Sequence, residues 1–311
     1  MRKIVSACMC LVLTGLMLCI LFPCAVNAAS AVDPARSCAL DLEYAYGGKG
    51  FAGLDIRIFR IAEVFEDGTY QLTGDFSDYP VNLYDITSQT EWKTIASTLS
   101  AYVAADELEA AATLQTDAEG KVHFDALQTG MYLTLSVKAD TDKEICTFES
   151  FLICLPNFDE QGEPFYEVTA APKCEIYEPK PENVEFKIIK QWKDAGNTDK
   201  RPGSVTVEIL KDGKRVSIQI LSTDNNWSYR WTAPDDGSVW QAVEREVPED
   251  YKVAVVVSGH TIVVTNVYDY GYETPPDTGV TTVLWPYVLL MCLSGLVILI
   301  LGLGRRKRVG K

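Results

Sequence analysis

The chain is 311 residues long, carries 28 Lys and Arg against 43 Asp and Glu, and has a formal net charge of −15. So acidic a balance argues against nucleic acid and anionic membranes as partners. The two histidines, His123 and His260, stand far apart, and no Gly-x-Ser-x-Gly, phosphate loop or Cys/His metal spacing appears. The sequence thus points away from an enzyme and implies neither a metal nor a cofactor.

In chain order, Arg2 and Lys3 precede an apolar run from Ile4 to Phe22, followed by Val26-Asn27-Ala28, where a signal peptidase finds small residues. Residues 1–28 read as a secretory signal cut after Ala28; the alternative is an uncleaved anchor. Cys24 follows Pro23 rather than a small residue, which disfavours a lipoprotein signal.

Residues 36–175 form a first β-rich domain. Period-2 alternation predicts strands at 38–44, 54–60, 131–137 and 164–170, with turn signals at Gly47-Gly48 and Glu119-Gly120. One helix is expected at 91–104, where Trp92, Ile95, Ala96, Leu99, Tyr102 and Val103 make an apolar face. The polar, proline-bearing stretch 176–183 reads as a linker. A second β-rich domain follows at 184–270, with strands at 184–192, 204–210 and 260–268 and turns at Asp212-Gly213 and Asp236-Gly237. The expected fold class is all-β: two Ig-like antiparallel sandwiches with one short helix in the first.

The C-terminal part carries Pro275-Pro276-Asp277-Thr278-Gly279, then an apolar stretch at 280–303 long enough to span a bilayer, then a basic tail at 305–311. Removing both ends leaves 21 basic residues against 43 acidic ones, a net charge of −22 on the exported part. Four cysteines remain there, Cys38, Cys146, Cys154 and Cys174, and they allow three pairings.

The second domain places three polar groups on apolar strand faces. Lys190 shares its face with Val184, Phe186, Ile188 and Trp192. Asn266 lies with Ile262, Val264 and Tyr268, and Glu244 with Trp240 and Ala242. Burying any of them alone is costly, and desolvation lowers a lysine's pKa while raising a carboxyl's.

The order of the C-terminal parts resembles the sortase sorting signal of Gram-positive surface proteins, with Pro275 in place of the usual leucine. That resemblance implies attack on the carbonyl between Thr278 and Gly279, with sortase and a peptidoglycan precursor as partners and the cell wall as destination. The alternative is an ordinary single-pass anchor.

Lys190-Gln191-Trp192-Lys193-Asp194, Lys200-Arg201-Pro202, Asn226-Trp227-Ser228-Tyr229, Glu244-Arg245-Glu246-Val247-Pro248 and Thr265-Asn266-Val267-Tyr268 resemble a collagen-adhesin B-type (Cna B) domain. The resemblance implies a β-sandwich closed by an autocatalytic isopeptide bond. A neutral Lys190 amine attacks the side-chain carbon of Asn266, and Glu244 relays protons as ammonia leaves. Glu246 is the weaker catalyst candidate, and a plain buried Lys190–Glu244 ion pair is the bland alternative.

In the first domain, Ile56-Arg57-Ile58-Phe59-Arg60-Ile61-Ala62 and the strand–turn–strand segment 116–133 resemble N-terminal domains of Gram-positive pilins. The first strand has no lysine and Leu133-Thr134-Leu135 lacks a glutamate, so no isopeptide bond is expected here. Cysteines can do the same job. Cys38 shares a face with Leu40, Leu42 and Tyr44, and Cys174 continues the Tyr166/Val168/Ala170 face. The expected disulfides are therefore Cys38–Cys174 and Cys146–Cys154, with free buried thiols as the alternative. Ala171-Pro172-Lys173 resembles the pilin motif whose lysine accepts the threonine of the next subunit. Lys173 is expected to be exposed, either as that acceptor or as a plain surface lysine.

The leading expectation is a structural surface protein, a pilin subunit or short wall-anchored stalk with other pilin subunits as partners. The alternative is a monomeric wall-anchored adhesin for a host or matrix ligand.

Overall fold

Strict alternation of apolar and polar residues decides which strand faces are buried. The computed structural model describes residues 31–84, 86–140 and 144–270. The expected secretory signal at 1–28 and the expected sorting signal at 275–311 lie outside the described residues. No helix among the described residues is long and apolar enough to cross a membrane.

In the first module, Cys38–Glu43 lies between Glu167–Ala170, to which it runs parallel, and Lys121–Leu127, to which it runs antiparallel. A second sheet runs Phe151–Leu155, Gly130–Thr134, Asp55–Val64, Tyr70–Leu72, with Ala112–Gln115 also paired to Asp55–Val64. The inward residues Leu40, Leu42, Ile56, Ile58, Phe124 and Tyr132 fill the core between these sheets. Asp55–Val64 is buried on its other face too, where Phe59 and Ile61 meet the helix. The Glu119-Gly120 turn needs its glycine. Gly120 has φ +81°, and a Cβ there would collide with the Tyr44 carbonyl.

The helix α1 spans Gln89–Ala105, close to the expected 91–104. It starts at Ser88, whose side chain accepts from the Glu91 amide while the Glu91 carboxylate accepts from the Ser88 amide, a reciprocal capping box. Ile95, Ala96, Leu99 and Val103 pack on the first module as their spacing predicts. Tyr102, on the expected face, is buried as well, and so are Thr98 and Ala101, which lie off it. They meet the second module.

That module has seven strands: β1 (Lys180–Lys193), β2 (Ser204–Lys211), β3 (Lys214–Ser222), β4 (Ser228–Asp235), β5 (Trp240–Arg245), β6 (Tyr251–Ser258) and β7 (Thr261–Tyr268). One sheet has the order β4-β1-β7-β6 and the other β3-β2-β5. The sandwich is antiparallel as expected, with one exception among its pairings. The first and last strands, β1 and β7, pair in parallel, from Lys187 opposite Thr261 to Lys193 opposite Val267. Parallel neighbours need a long connection, and here all the intervening strands supply it.

Two further expectations are corrected. The stretch 176–183 is not a free linker. Cys174–Tyr177 pairs with Ile145–Phe148, and β1 already begins at Lys180, opposite Asp235. The expected disulfides Cys38–Cys174 and Cys146–Cys154 do not form; instead Cys146 is joined to Cys174, and Cys38 and Cys154 are free. Register is the reason. Pro172 interrupts the strand after Ala170, and Cys174 continues in a different sheet. There Phe148 stands opposite Cys174 and Cys146 opposite Ile176, leaving the two cysteines diagonal neighbours with Cα atoms 5.7 Å apart. Cys38 stays opposite Leu127, and Cys154 opposite Met131.

Candidate functional site: a buried lysine, glutamate and asparagine

The alternation of β1 turns Phe186, Ile188 and Lys190 inward and leaves Glu185 and Gln191 exposed. Lys190 retains 4% of its surface and its side chain none. On β7 the same period brings Ile262, Val264 and Asn266 inward, with Asn266 fully buried. The parallel register sets Val264 opposite Lys190 and Asn266 opposite Trp192. Lysine and asparagine therefore share one face, two positions apart on neighbouring strands. Glu244 comes from the other sheet: it lies on β5 opposite Val207 and is 1% exposed.

The glutamate bridges the other two. Lys190 Nζ stands 3.4 Å from Glu244 Oε2, within ion-pair reach. Asn266 Nδ2 donates to Glu244 Oε1 at 2.8 Å. Lys190 Nζ also donates to the Gln191 carbonyl at 3.0 Å and lies 4.0 Å from the centroid of the Trp192 ring. Among the described residues nothing hydrogen-bonds Glu244 Oε2 or Asn266 Oδ1. Each carboxylate oxygen thus faces one of the two groups.

The surroundings are apolar, including Ile188, Val207, Ala242 and Val264. Burial pushes the Lys190 amine down to about 8, against the opposing pull of Glu244, and the same burial pushes the Glu244 carboxyl up. Both directions favour a neutral amine beside a neutral acid, the pair of protonation states that permits nucleophilic attack at an amide.

The structure brings together Lys190, Glu244 and Asn266, the three residues singled out by alternation. It excludes Glu246, which is exposed at φ +55° in the turn after β5. Lys173 is exposed, as expected, in the extended connection between Glu167–Ala170 and Cys174–Tyr177. The residues Pro275, Pro276, Asp277, Thr278 and Gly279 lie outside the described residues. The two histidines are not brought together: His123 meets Asp41 at 2.8 Å and His260 meets Asp235 at 3.1 Å. No group of His, Cys, Asp and Glu with metal-binding geometry occurs among the described residues.

Sequence reasoning missed one neighbour of the site. The Tyr102 hydroxyl, on α1, donates to the Glu244 main-chain carbonyl at 2.9 Å in a buried hydrogen bond. Tyr102 was legible as a core residue of the helix. Its reach across 142 positions to β5 was not.

A collagen adhesin of Staphylococcus aureus is 34% identical over 106 residues, covering 30% of this chain and 8% of that protein. The chain therefore spans under a tenth of that relative's length. A single B repeat unit of the collagen-binding surface protein of Staphylococcus aureus aligns at 16% identity and a TM-score of 0.27, covering 75% of this chain and 99% of that one. The full-length major pilin SpaD of Corynebacterium diphtheriae aligns at 16% identity and a TM-score of 0.29, covering 76% and 66%. The family model of the Cna protein B-type domain matches residues 186–267, the stretch that holds Lys190, Glu244 and Asn266.

Proposed function

We propose that this is a structural protein of the bacterial surface, a pilin subunit or short stalk, whose second module closes itself with a Lys190–Asn266 isopeptide bond. The observation that carries the reading is the dry Lys190–Glu244–Asn266 cluster, with one glutamate oxygen facing the amine and the other the amide. The neutral Lys190 amine attacks Asn266 Cγ. Its proton passes to Glu244 through Oε2, and Glu244 returns a proton through Oε1 to Nδ2. The Cγ–Nδ2 bond breaks, ammonia leaves, and an Nζ–Cγ amide remains. Nothing is oxidised or reduced, and the glutamate ends as it began. The closed loop of 76 positions would stabilise the module by about 4–5 kcal/mol in a chain-entropy treatment of cross-links.

Under this reading the segment 275–279 is a sortase signal that joins Thr278 to the wall or to Lys173 of another subunit. The exposure of Lys173 supports its role as acceptor. Intact mass of the secreted protein tests the bond: the chain should be lighter by one ammonia, and Lys190→Met should abolish the loss. A denaturing gel of wall extracts tests the polymer, where a covalent ladder lost on Lys173→Ala is expected. A single band that binds immobilised matrix protein would instead favour the monomeric adhesin.

A further inference from the structure

Glu244 sits on β5, an edge strand: its sheet has the order β3-β2-β5, so one side of β5 has no strand beside it. The adjoining sheet ends in β6, also an edge. An open margin between these two edges would admit water to the glutamate, and water would restore the charged forms of both Lys190 and Glu244.

The helix of the first module occupies that margin. On β5, Gln241 Nε2 donates to Ser100 Oγ at 3.1 Å, the Glu244 carbonyl accepts from the Tyr102 hydroxyl at 2.9 Å, and the Arg245 guanidinium pairs with Asp106 at 2.8 Å. On β6, the Val255 amide donates to Thr98 Oγ1 at 2.8 Å and the Val253 amide to the Pro80 carbonyl at 2.7 Å. Ala101 and Tyr102 are counted in the second module's own core, and Tyr79 stacks on Tyr102 at 4.4 Å. The C-terminal half of the helix, with the Pro80 carbonyl beside it, thus ties both edges and covers the gap between them.

We propose that the first module completes the cross-linking site of the second, with Tyr102 as the positioning residue that fixes the main chain of Glu244. This rests on the isopeptide reading above. Tyr102 touches neither the amine nor the amide. Its hydroxyl anchors the carbonyl of the one residue that must face both, and its ring belongs to the seal that keeps the carboxyl dry. Bond formation therefore follows docking of the two modules, and a second module folded away from α1 stays unlinked.

The test uses the mature chain, residues 29–278, purified in denaturant after brief expression and refolded by dilution. Tryptophan fluorescence follows folding, and intact mass follows loss of ammonia in the same samples. Tyr102→Phe keeps the ring and removes one buried hydrogen bond. It should leave the fluorescence recovery of the wild type while slowing the mass change about tenfold. A merely structural role would slow both together. If the wild-type chain never becomes lighter, the isopeptide reading itself fails. If it becomes lighter and Tyr102→Phe keeps pace after folding, the positioning role alone is overturned. Should Tyr102→Phe not recover its fluorescence, Asp106→Ala decides. It removes the partner on the first module from Arg245, next to Glu244, and leaves the Arg245–Glu208 pair in place; an unchanged rate of mass loss there overturns the proposal.

Discussion

Asn266→Leu keeps roughly the side-chain volume, removes the amide and leaves Lys190 and Glu244 facing each other in the core. Burial holds the Lys190 amine at about 8, whereas in the unfolded chain it returns to 10.5. Between those values the unfolded state binds the extra proton, so stability must rise with pH across that window. At about 1.4 kcal/mol per pH unit, the rise from pH 8 to 9.5 amounts to about 2 kcal/mol. Glu244 acts in the opposite sense at lower pH. Its folded value is raised, so its contribution is fully present below the ordinary carboxyl range and is lost as pH climbs through the folded value. The variant should therefore lose stability as pH climbs above the ordinary carboxyl range and regain it above about 8. Urea midpoints followed by tryptophan fluorescence from pH 5 to 9.5 (short of the range where tyrosines ionise) measure this. The control is Lys190→Met combined with Asn266→Leu, in which the alkaline rise should vanish. A flat profile in the single variant, or the same rise in both, would mean that Lys190 keeps its proton when folded. No free amine would then be available, and the proposed chemistry loses its nucleophile.

Glu244→Gln should abolish the loss of ammonia, whereas Glu246→Gln should leave it intact, since only the former is buried between amine and amide; intact mass distinguishes them. Cys146→Ser opens a loop of 28 positions and should cost about 3–4 kcal/mol, read from the urea midpoint, while a non-reducing peptide map of the parent should join the Cys146 and Cys174 peptides. Thr98→Val removes the acceptor of the buried Val255 amide and should destabilise the chain by about 1–3 kcal/mol, with faster hydrogen exchange at Val255.

Period-2 alternation was a reliable guide wherever one face of a strand is apolar. It placed Lys190 and Asn266 inward because every second residue around them is apolar, and the same rule identified Glu244 through Trp240 and Ala242. It does not extend to Lys214–Ser222, where Val216, Ile218 and Ile220 alternate with polar residues as a buried face would, yet remain exposed on an edge strand. The helix face was legible for the module that contains it. The burial of Thr98 and Ala101 was not, nor was the side on which Tyr102 makes its contacts, because contact with a partner module leaves no period of its own. The cysteine pairing failed for a related reason. Extending the Tyr166/Val168/Ala170 face to Cys174 assumed one continuous strand, and Ala171-Pro172-Lys173 moves the chain from one sheet to another. Local pattern specifies a face; it does not specify which sheet the next segment joins.

The parallel pairing of β1 and β7 also decides how the second module meets a mechanical load. The chain enters it at Lys180 and leaves it beyond Tyr268. Because the two strands run in the same direction, those points lie at opposite ends of the sheet, roughly 40 Å apart at the usual rise of a strand. Tension along the chain therefore slides β1 against β7 lengthwise. Every rung from Lys187–Thr261 to Lys193–Val267 resists at once. An antiparallel first and last strand would enter and leave at the same end, and the same pull would peel them apart rung by rung.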